Sequence, residues 1–225
     1  MTSRWVIFFS LTTAACCATV SGQVQLTDSK DYSGAVVWLA PIAGEPPETT
    51  PQIASMAHQH KTFVPHVVAI RTGSKVRFPN LDPFFHSAFS NYDGEIFDIG
   101  LHPPGSSREV TFRRSGVVRL FCNIHPTMSA VIVVLNTPWF AVSNLQGSFR
   151  IPGIAPGTYR VQVFHERARP DVLANLEREV TVRTDDLPLP LLLISEEGYV
   201  EPPHKNKFGK SYPPIIVDQY PGGRR

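Results

Sequence analysis

The sequence predicts an all-β protein made of two β-sandwiches, and three observations predict it. Proline occupies 21 of 225 positions, and a residue without a backbone N–H interrupts long helices. Short runs that alternate apolar with polar residues recur between Gly, Pro and Asn turns, the period-2 pattern of half-buried strands. Hydrophobic residues make up 42% and charged residues 18% of the chain, below the ~25% charge of an average soluble protein, so a packed core is expected rather than disorder. The formal net charge of +2 gives no reason to expect nucleic acid or an acidic surface as partner.

Taken in order, residues 1–22 read as a secretory signal peptide. Arg4 precedes an apolar run from Trp5 to Val20, and Ser21-Gly22 offers small residues for cleavage ahead of Gln23. The run is short and contains Ser10, Thr12 and Thr13, which disfavours a membrane span, and no later segment is apolar for long enough to cross a bilayer. A periplasmic or secreted protein is expected. Thr13-Ala14-Ala15-Cys16 loosely resembles a lipoprotein box, which makes a lipid-bearing Cys16 the minor alternative.

Strands are expected at Ala35–Ala40, Val67–Ile70, Lys75–Phe78, Arg108–Phe112, Val117–Phe121 and Ala130–Leu135. Pro41 to Pro51 reads as a loop, and Thr72-Gly73 and Gly116 as turns. A second β pattern begins at Trp139, with strands at Phe140–Val142, Ser148–Ile151, Thr158–Phe164, Glu179–Arg183 and Leu189–Ile194. Within Thr158–Phe164, strict alternation puts Tyr159, Val161 and Val163 on one face. Only Asp171 to Glu179 leaves room for a helical turn or two. Residues 196–225, rich in proline and scattered charge, predict an extended or poorly ordered tail.

Cysteine usage sharpens the functional reading. Cys16 and Cys17 fall in the leader, so Cys122 stands alone in the processed chain, whereas exported domains usually pair their cysteines. A lone one is buried and inert, reactive, or bound to a metal. Phe121-Cys122-Asn123-Ile124-His125-Pro126-Thr127-Met128 places a thiolate, an imidazole and a thioether on one loop between two buried strands, and His86 upstream offers a second imidazole. Two imidazoles and a thiolate in a plane, with a weak axial thioether, form the donor set of blue-copper electron-transfer sites. Thiolate and thioether favour Cu(I), while imidazole also satisfies Cu(II). The plainer alternative is a sandwich with Cys122 simply buried. Zinc is a lesser rival, because Met is a poor zinc ligand.

From Thr62 to Leu135 these residues resemble the cupredoxin family, the plastocyanin- and amicyanin-like small copper proteins, including the proline after the loop histidine. The resemblance implies a Greek-key β-sandwich holding one copper per chain near one end, with His86, Cys122, His125 and Met128 as ligands. It further implies a single-electron carrier rather than an enzyme, with a transient redox partner such as a cytochrome or a periplasmic oxidoreductase. His125 would be the exit edge, rimmed by Pro83, Phe84, Phe85 and Pro126. Ser87 departs from the pattern, since many relatives carry Asn directly after the first histidine.

A second resemblance lies in Asn144 to Tyr159, with its Gly147-Ser148-Phe149 and Pro156-Gly157-Thr158-Tyr159 segments, and in Gly34-Ala35-Val36-Val37-Trp38-Leu39. Both resemble the carboxypeptidase regulatory-like (transthyretin-like) sandwich. Because the Gly34 segment precedes the copper stretch, the cupredoxin domain is expected to be inserted. Residues 23–50 and 137–195 would form the regulatory-like domain, residues 51–136 the cupredoxin domain and 196–225 the tail. Three consecutive units are the alternative.

His58, His60 and His66 form a candidate second copper-loading patch, which would suit copper storage or delivery; a polar edge strand is the blander reading. His102, His165 and His204 read as ordinary isolated residues, and Glu166 beside His165 has no nucleophile to serve. A dinuclear electron-transfer centre would need two bridging cysteines, and multinuclear oxidases several His-x-His pairs. A third reading is an interaction module with a vestigial metal site.

Overall fold

The computed structural model describes residues 17–91, 94–201 and 203–213; residues 1–16 of the expected leader lie outside them. The protein is all-β, with 45% of the described residues in strands and 3% in helix. It opens with β1 (Ala18–Leu26) and β2 (Val36–Pro41). There follow β3 (Ile53–Ser55), β4 (Ala57–Gln59), β5 (Thr62–Val64), β6 (Val67–Arg71) and β7 (Lys75–Pro79). Next come β8 (Phe89–Ser90), β9 (Phe97–Asp98), β10 (Ser107–Thr111), β11 (Gly116–Phe121) and β12 (Ser129–Leu135). The chain ends with β13 (Phe140–Val142), β14 (Ser148–Ile154), β15 (Gly157–Phe164), α1 (Pro170–Ala174), β16 (Arg178–Val182), β17 (Leu187–Pro188) and β18 (Leu192–Ile194).

Pairing sorts these strands into two sandwiches. In the first, sheets β6-β12-β11-β8-β9 and β10-β7-β3 face each other, and the β4–β5 hairpin closes one end. In the second, β13-β2-β15-β16 faces β14-β1-β17, with β18 also on β1. Thus β1 and β2 pair only with strands that follow residue 139, while β3 to β12 pair among themselves.

Alternation explains how the two sandwiches share a wall. On β12, Ala130, Ile132 and Val134 point into the first core, and Val131, Val133 and Leu135 point the other way. That outer face meets Val36 and Trp38 of β2 and Phe164 of β15. β12 is therefore apolar on both faces, as a strand buried on both sides must be. β2 does the same in reverse, sending Val37 and Leu39 into the second core. On β15, Tyr159, Val161 and Val163 line that core together, the face expected from the alternation.

Two expectations need correction. The strand expected over Leu189–Ile194 is shortened to β18 (Leu192–Ile194), with the two-residue β17 ahead of it, because Pro190 cannot donate to a ladder. Cleavage after Gly22 would cut β1 in the middle: Ala18 and Val20 are 1% and 0% exposed, and Ala18 to Gln23 pair with β14. The apolar residues that resemble the end of a leader core are a core strand.

Candidate metal centre

The register of β11 aims the cysteine inward. Val118 and Leu120 face the first core, and Cys122, two residues on, keeps that parity at 0% exposure. The loop then folds back on itself: the Cys122 amide donates to the Met128 carbonyl at 3.1 Å, and the Met128 amide to the His125 carbonyl at 3.1 Å. Met128 is buried in the same apolar cluster as Cys122. His86 sits between β7 and β8, pinned by a two-way backbone bridge with His102.

Folding brings the donor atoms of His86, Cys122 and His125 within 4.8 Å of one another. Nδ1 of His125 lies 3.6 Å and Nδ1 of His86 3.9 Å from the Cys122 sulfur. Burial pushes the Cys122 thiol up, but contacts with His125, His86 and the backbone of Ile124 and Ser87 outweigh it and carry the pKa down to about 5. Near neutral pH the sulfur is a thiolate, the form that binds metal. Nε2–H of His86 donates to Oδ2 of Asp82 at 2.8 Å, which orients the ring with Nδ1 toward the sulfur. One thiolate and two oriented imidazoles at this spacing fit a copper ion.

Asp82 is the surrounding feature that sequence reading missed. It is 6% exposed and accepts from the backbone amides of His60 at 2.7 Å and Lys61 at 2.9 Å. Those residues form the tight turn between β4 and β5 and take left-handed backbone angles, φ 55° and 56°, the conformation that a two-residue hairpin turn requires. Burial raises the Asp82 carboxyl, yet the Lys61, His86 and His60 contacts win and hold it below its usual range. The turn thus presents two N–H groups to a carboxylate that in turn holds the His86 imidazole. A spacing of four residues between Asp82 and His86 was the available signal.

His58 and His102 also belong here, not to isolated positions. The buried His58 ring stacks on His86 with centroids 4.8 Å apart and planes 11° from parallel, and His102 meets His58 edge-on at 4.8 Å. Burial, followed by the neighbouring His86 and His102, lowers the His58 pKa to about 3, so it packs as a neutral ring. Ser87 replaces the bracing expected of Asn: its Oγ accepts from the Asn123 amide at 2.8 Å and lies 3.7 Å from the Cys122 sulfur.

The patch of His58, His60 and His66 is not assembled. His58 is walled into the core, His60 occupies the turn, and His66 Nε2 bonds Glu166 of the second sandwich at 2.7 Å. Among the described residues, the His86–Cys122–His125 group is the one with metal-ligand spacing. On the surface side, His125 is half-buried and meets the Phe84 ring at 5.7 Å. Phe85 and Ile124 are 53% and 42% exposed.

No family model and no curated protein matches the chain. Solved structures do. A copper-containing nitrite reductase from Thermus scotoductus SA-01 is similar at 27% identity over 43% of this chain and 25% of its own, with a TM-score of 0.36. A purple cupredoxin from Nitrosopumilus maritimus is similar at 22% identity over 38% of this chain and all of its own, TM-score 0.32. The Cu(I) form of an amicyanin variant is similar at 14% identity over 44% of this chain and 99% of its own, TM-score 0.36. The chain thus spans a quarter of the length of the nitrite reductase.

Proposed function

We propose that the chain is an exported mononuclear copper protein that carries single electrons, in which His86, Cys122 and His125 would hold the metal with Met128 as a weaker fourth ligand. The observation that carries the reading is a buried cysteine sulfur grouped with two imidazole nitrogens, all within 4.8 Å of one another. Bound copper would supply a Cu(II)/Cu(I) couple. The protein's own residues do the rest. Cys122 offers a thiolate at neutral pH, and Asp82 fixes the tautomer and ring plane of His86. The His58 ring stacked on His86, itself backed by Phe63 and Phe78, limits how far the His86 ring can swing. A ligand set held this rigidly changes little between oxidation states, which lowers the barrier to exchange.

His125 is the proposed exit edge. It is the half-exposed ligand, and Pro83, Phe84, Phe85 and Pro126 would receive a transient redox partner such as a cytochrome or a periplasmic oxidoreductase. Storage or delivery through His58, His60 and His66 has less support, since those three do not meet. The second sandwich is proposed to be a regulatory-like domain interrupted by the copper sandwich, supported by the pairing of β1 with β14, β17 and β18 and of β2 with β13 and β15.

Export is retained with a revised start. Processing ahead of Ala18 preserves β1, which makes cleavage at the Cys16 box the better fit; an intact mass beginning at Gln23 would overturn that start. The function is tested by loading copper and recording the visible spectrum and reduction potential of the full protein and of Met128→Leu. An intense thiolate-to-Cu(II) band with a reversible couple is expected, kept in colour but shifted in potential by the substitution, because the axial bond tunes rather than binds. Copper uptake without such a band in the wild-type protein would sink the proposal.

A further inference from the structure

The tail does not trail off after β18. It leaves the second sandwich at Glu196, which pairs with Arg167 at 3.0 Å, and residues 203–213 lie across the loop that carries Cys122, His125 and Met128. Three contacts reach that loop from outside. Nε2–H of His204 donates to the Pro126 carbonyl at 2.8 Å. The Lys207 amide donates to Oδ1 of Asn123 at 3.1 Å. The Tyr212 hydroxyl donates to the Cys122 carbonyl at 3.0 Å.

Two of these contacts, those of His204 and Tyr212, fall on backbone that the sheet does not serve. β11 ends at Phe121 and β12 begins at Ser129, so the carbonyls of Cys122 and Pro126 lie beyond the ladder and need other partners. The tail supplies them at both halves of the loop. It is itself fixed: the His204 ring stacks on Phe121 at 4.0 Å, and Tyr212 meets His204 edge-on at 5.3 Å. Asn91 donates to the Lys207 carbonyl at 3.2 Å, and Lys207 Nζ pairs with Asp98 at 2.7 Å. A turn closes the segment, with the Lys210 and Phe208 amides both donating to Oδ1 of Asn206.

We propose that residues 203–213 form an external brace for the ligand loop, and that Tyr212 and His204 are positioning residues for the Cys122 sulfur. The Cys122 carbonyl and sulfur are both carried on the same Cα, so a hydrogen bond that fixes the carbonyl fixes the origin of the thiolate vector. A loop held this way has its donor geometry set before metal arrives, which reduces the ordering that binding must impose. The last readout below rests on the copper reading; the others do not.

The test uses the full chain with Tyr212→Phe, which keeps the ring and removes the hydroxyl, and the double variant His204→Ala/Tyr212→Phe. In metal-free protein, amide exchange of Asn123 to Met128 and alkylation of Cys122, located by peptide mass, should rise about fivefold in Tyr212→Phe, the factor that one hydrogen bond of ~1 kcal/mol commands. The double variant should exceed that, while amides of β14 and β15 stay unchanged. In copper-loaded protein, the thiolate-to-metal band and the potential should both move in each variant. Unchanged loop exchange and alkylation in the double variant would overturn the brace, and so would faster rates with a band and potential that do not move. A wild-type protein that takes up copper without colour would instead remove the copper reading and leave the brace to be judged on the metal-free rates.

Discussion

The second sandwich encloses Val, Leu and Ile around Trp139 and Tyr159, and its buried polar residues are Thr19, Thr137, Ser143 and His165, whereas one end of the first sandwich buries His58, Asn80, Asp82, His86, Ser87 and His102 together. Desolvating a polar group costs free energy unless a partner replaces water, so a fold concentrates such groups where something other than stability requires them. The first sandwich provides partners for some of them: Asp82 for His86, the His60 and Lys61 amides for Asp82, and Ser87 for the loop. The ring nitrogens of His58 and His102, by contrast, are buried without a hydrogen-bond partner among the described residues. The second has the composition of a support. Its wall, β2 and β15, backs the very strands β11 and β12 that flank the ligand loop.

That contrast can be broken most forcefully from the support side. Leu39→Ala, at a fully buried position of the second core, is expected to cost ~2–5 kcal/mol of stability, measured by chemical denaturation. The visible band of the copper-loaded protein should stay where it is. A displaced band would mean that the two cores do not divide support from chemistry.

Asp82→Asn probes the other side. One carboxylate oxygen becomes an NH2 that must face a donor, either the His60 amide or the Lys61 amide and His86 Nε2–H. A loss of metal affinity of roughly 10–100-fold is expected, read by competition with a chelator. Unchanged affinity would show that the His86 ring is held by packing on His58 and Phe84 alone.

The smallest effect concerns the joint between the sandwiches. The Glu166 hydrogen bond raises the His66 pKa against burial, and His66 in turn helps to lower that of Glu166. His66 contributes stability that is full below its unfolded pKa of about 6.5 and is lost as pH rises through the higher folded value. Glu166 contributes above its unfolded pKa of about 4.3, and that part is lost as pH falls through the lower folded value. The pair therefore stabilises most from about pH 4.3 to 6.5. His66 is 44% exposed, so screening keeps the effect below about 1 kcal/mol. Melting curves of wild type and Glu166→Gln should converge as pH rises from 6 to 9; a constant gap would exclude the ion pair as its source.

What could be read in advance follows from range. Alternation over β11, β12 and β15 is local, so their inward faces were legible from residue order. The spacing of Cys122, His125 and Met128 was legible too, because one loop holds all three. Asp82, His58 and His102 were not, since their role depends on a turn and a bridge between segments far apart in sequence. β1 was misread because a buried strand and a leader core present the same apolar residues. Where the tail docks was not legible for the opposite reason: its few anchoring side chains, His204, Asn206, Lys207 and Tyr212, are diluted among Pro, Gly and charge, and composition does not register where they land.

The most direct test of the metal centre is a copper titration of metal-free protein, followed by visible absorption, with Cys122→Ser alongside. The reading requires an intense thiolate-to-Cu(II) band that grows linearly and saturates at one copper per chain, and that is absent from Cys122→Ser because a hydroxyl cannot replace the covalent thiolate. Copper binding of equal strength and unchanged colour in Cys122→Ser would contradict it and move the search to other donors.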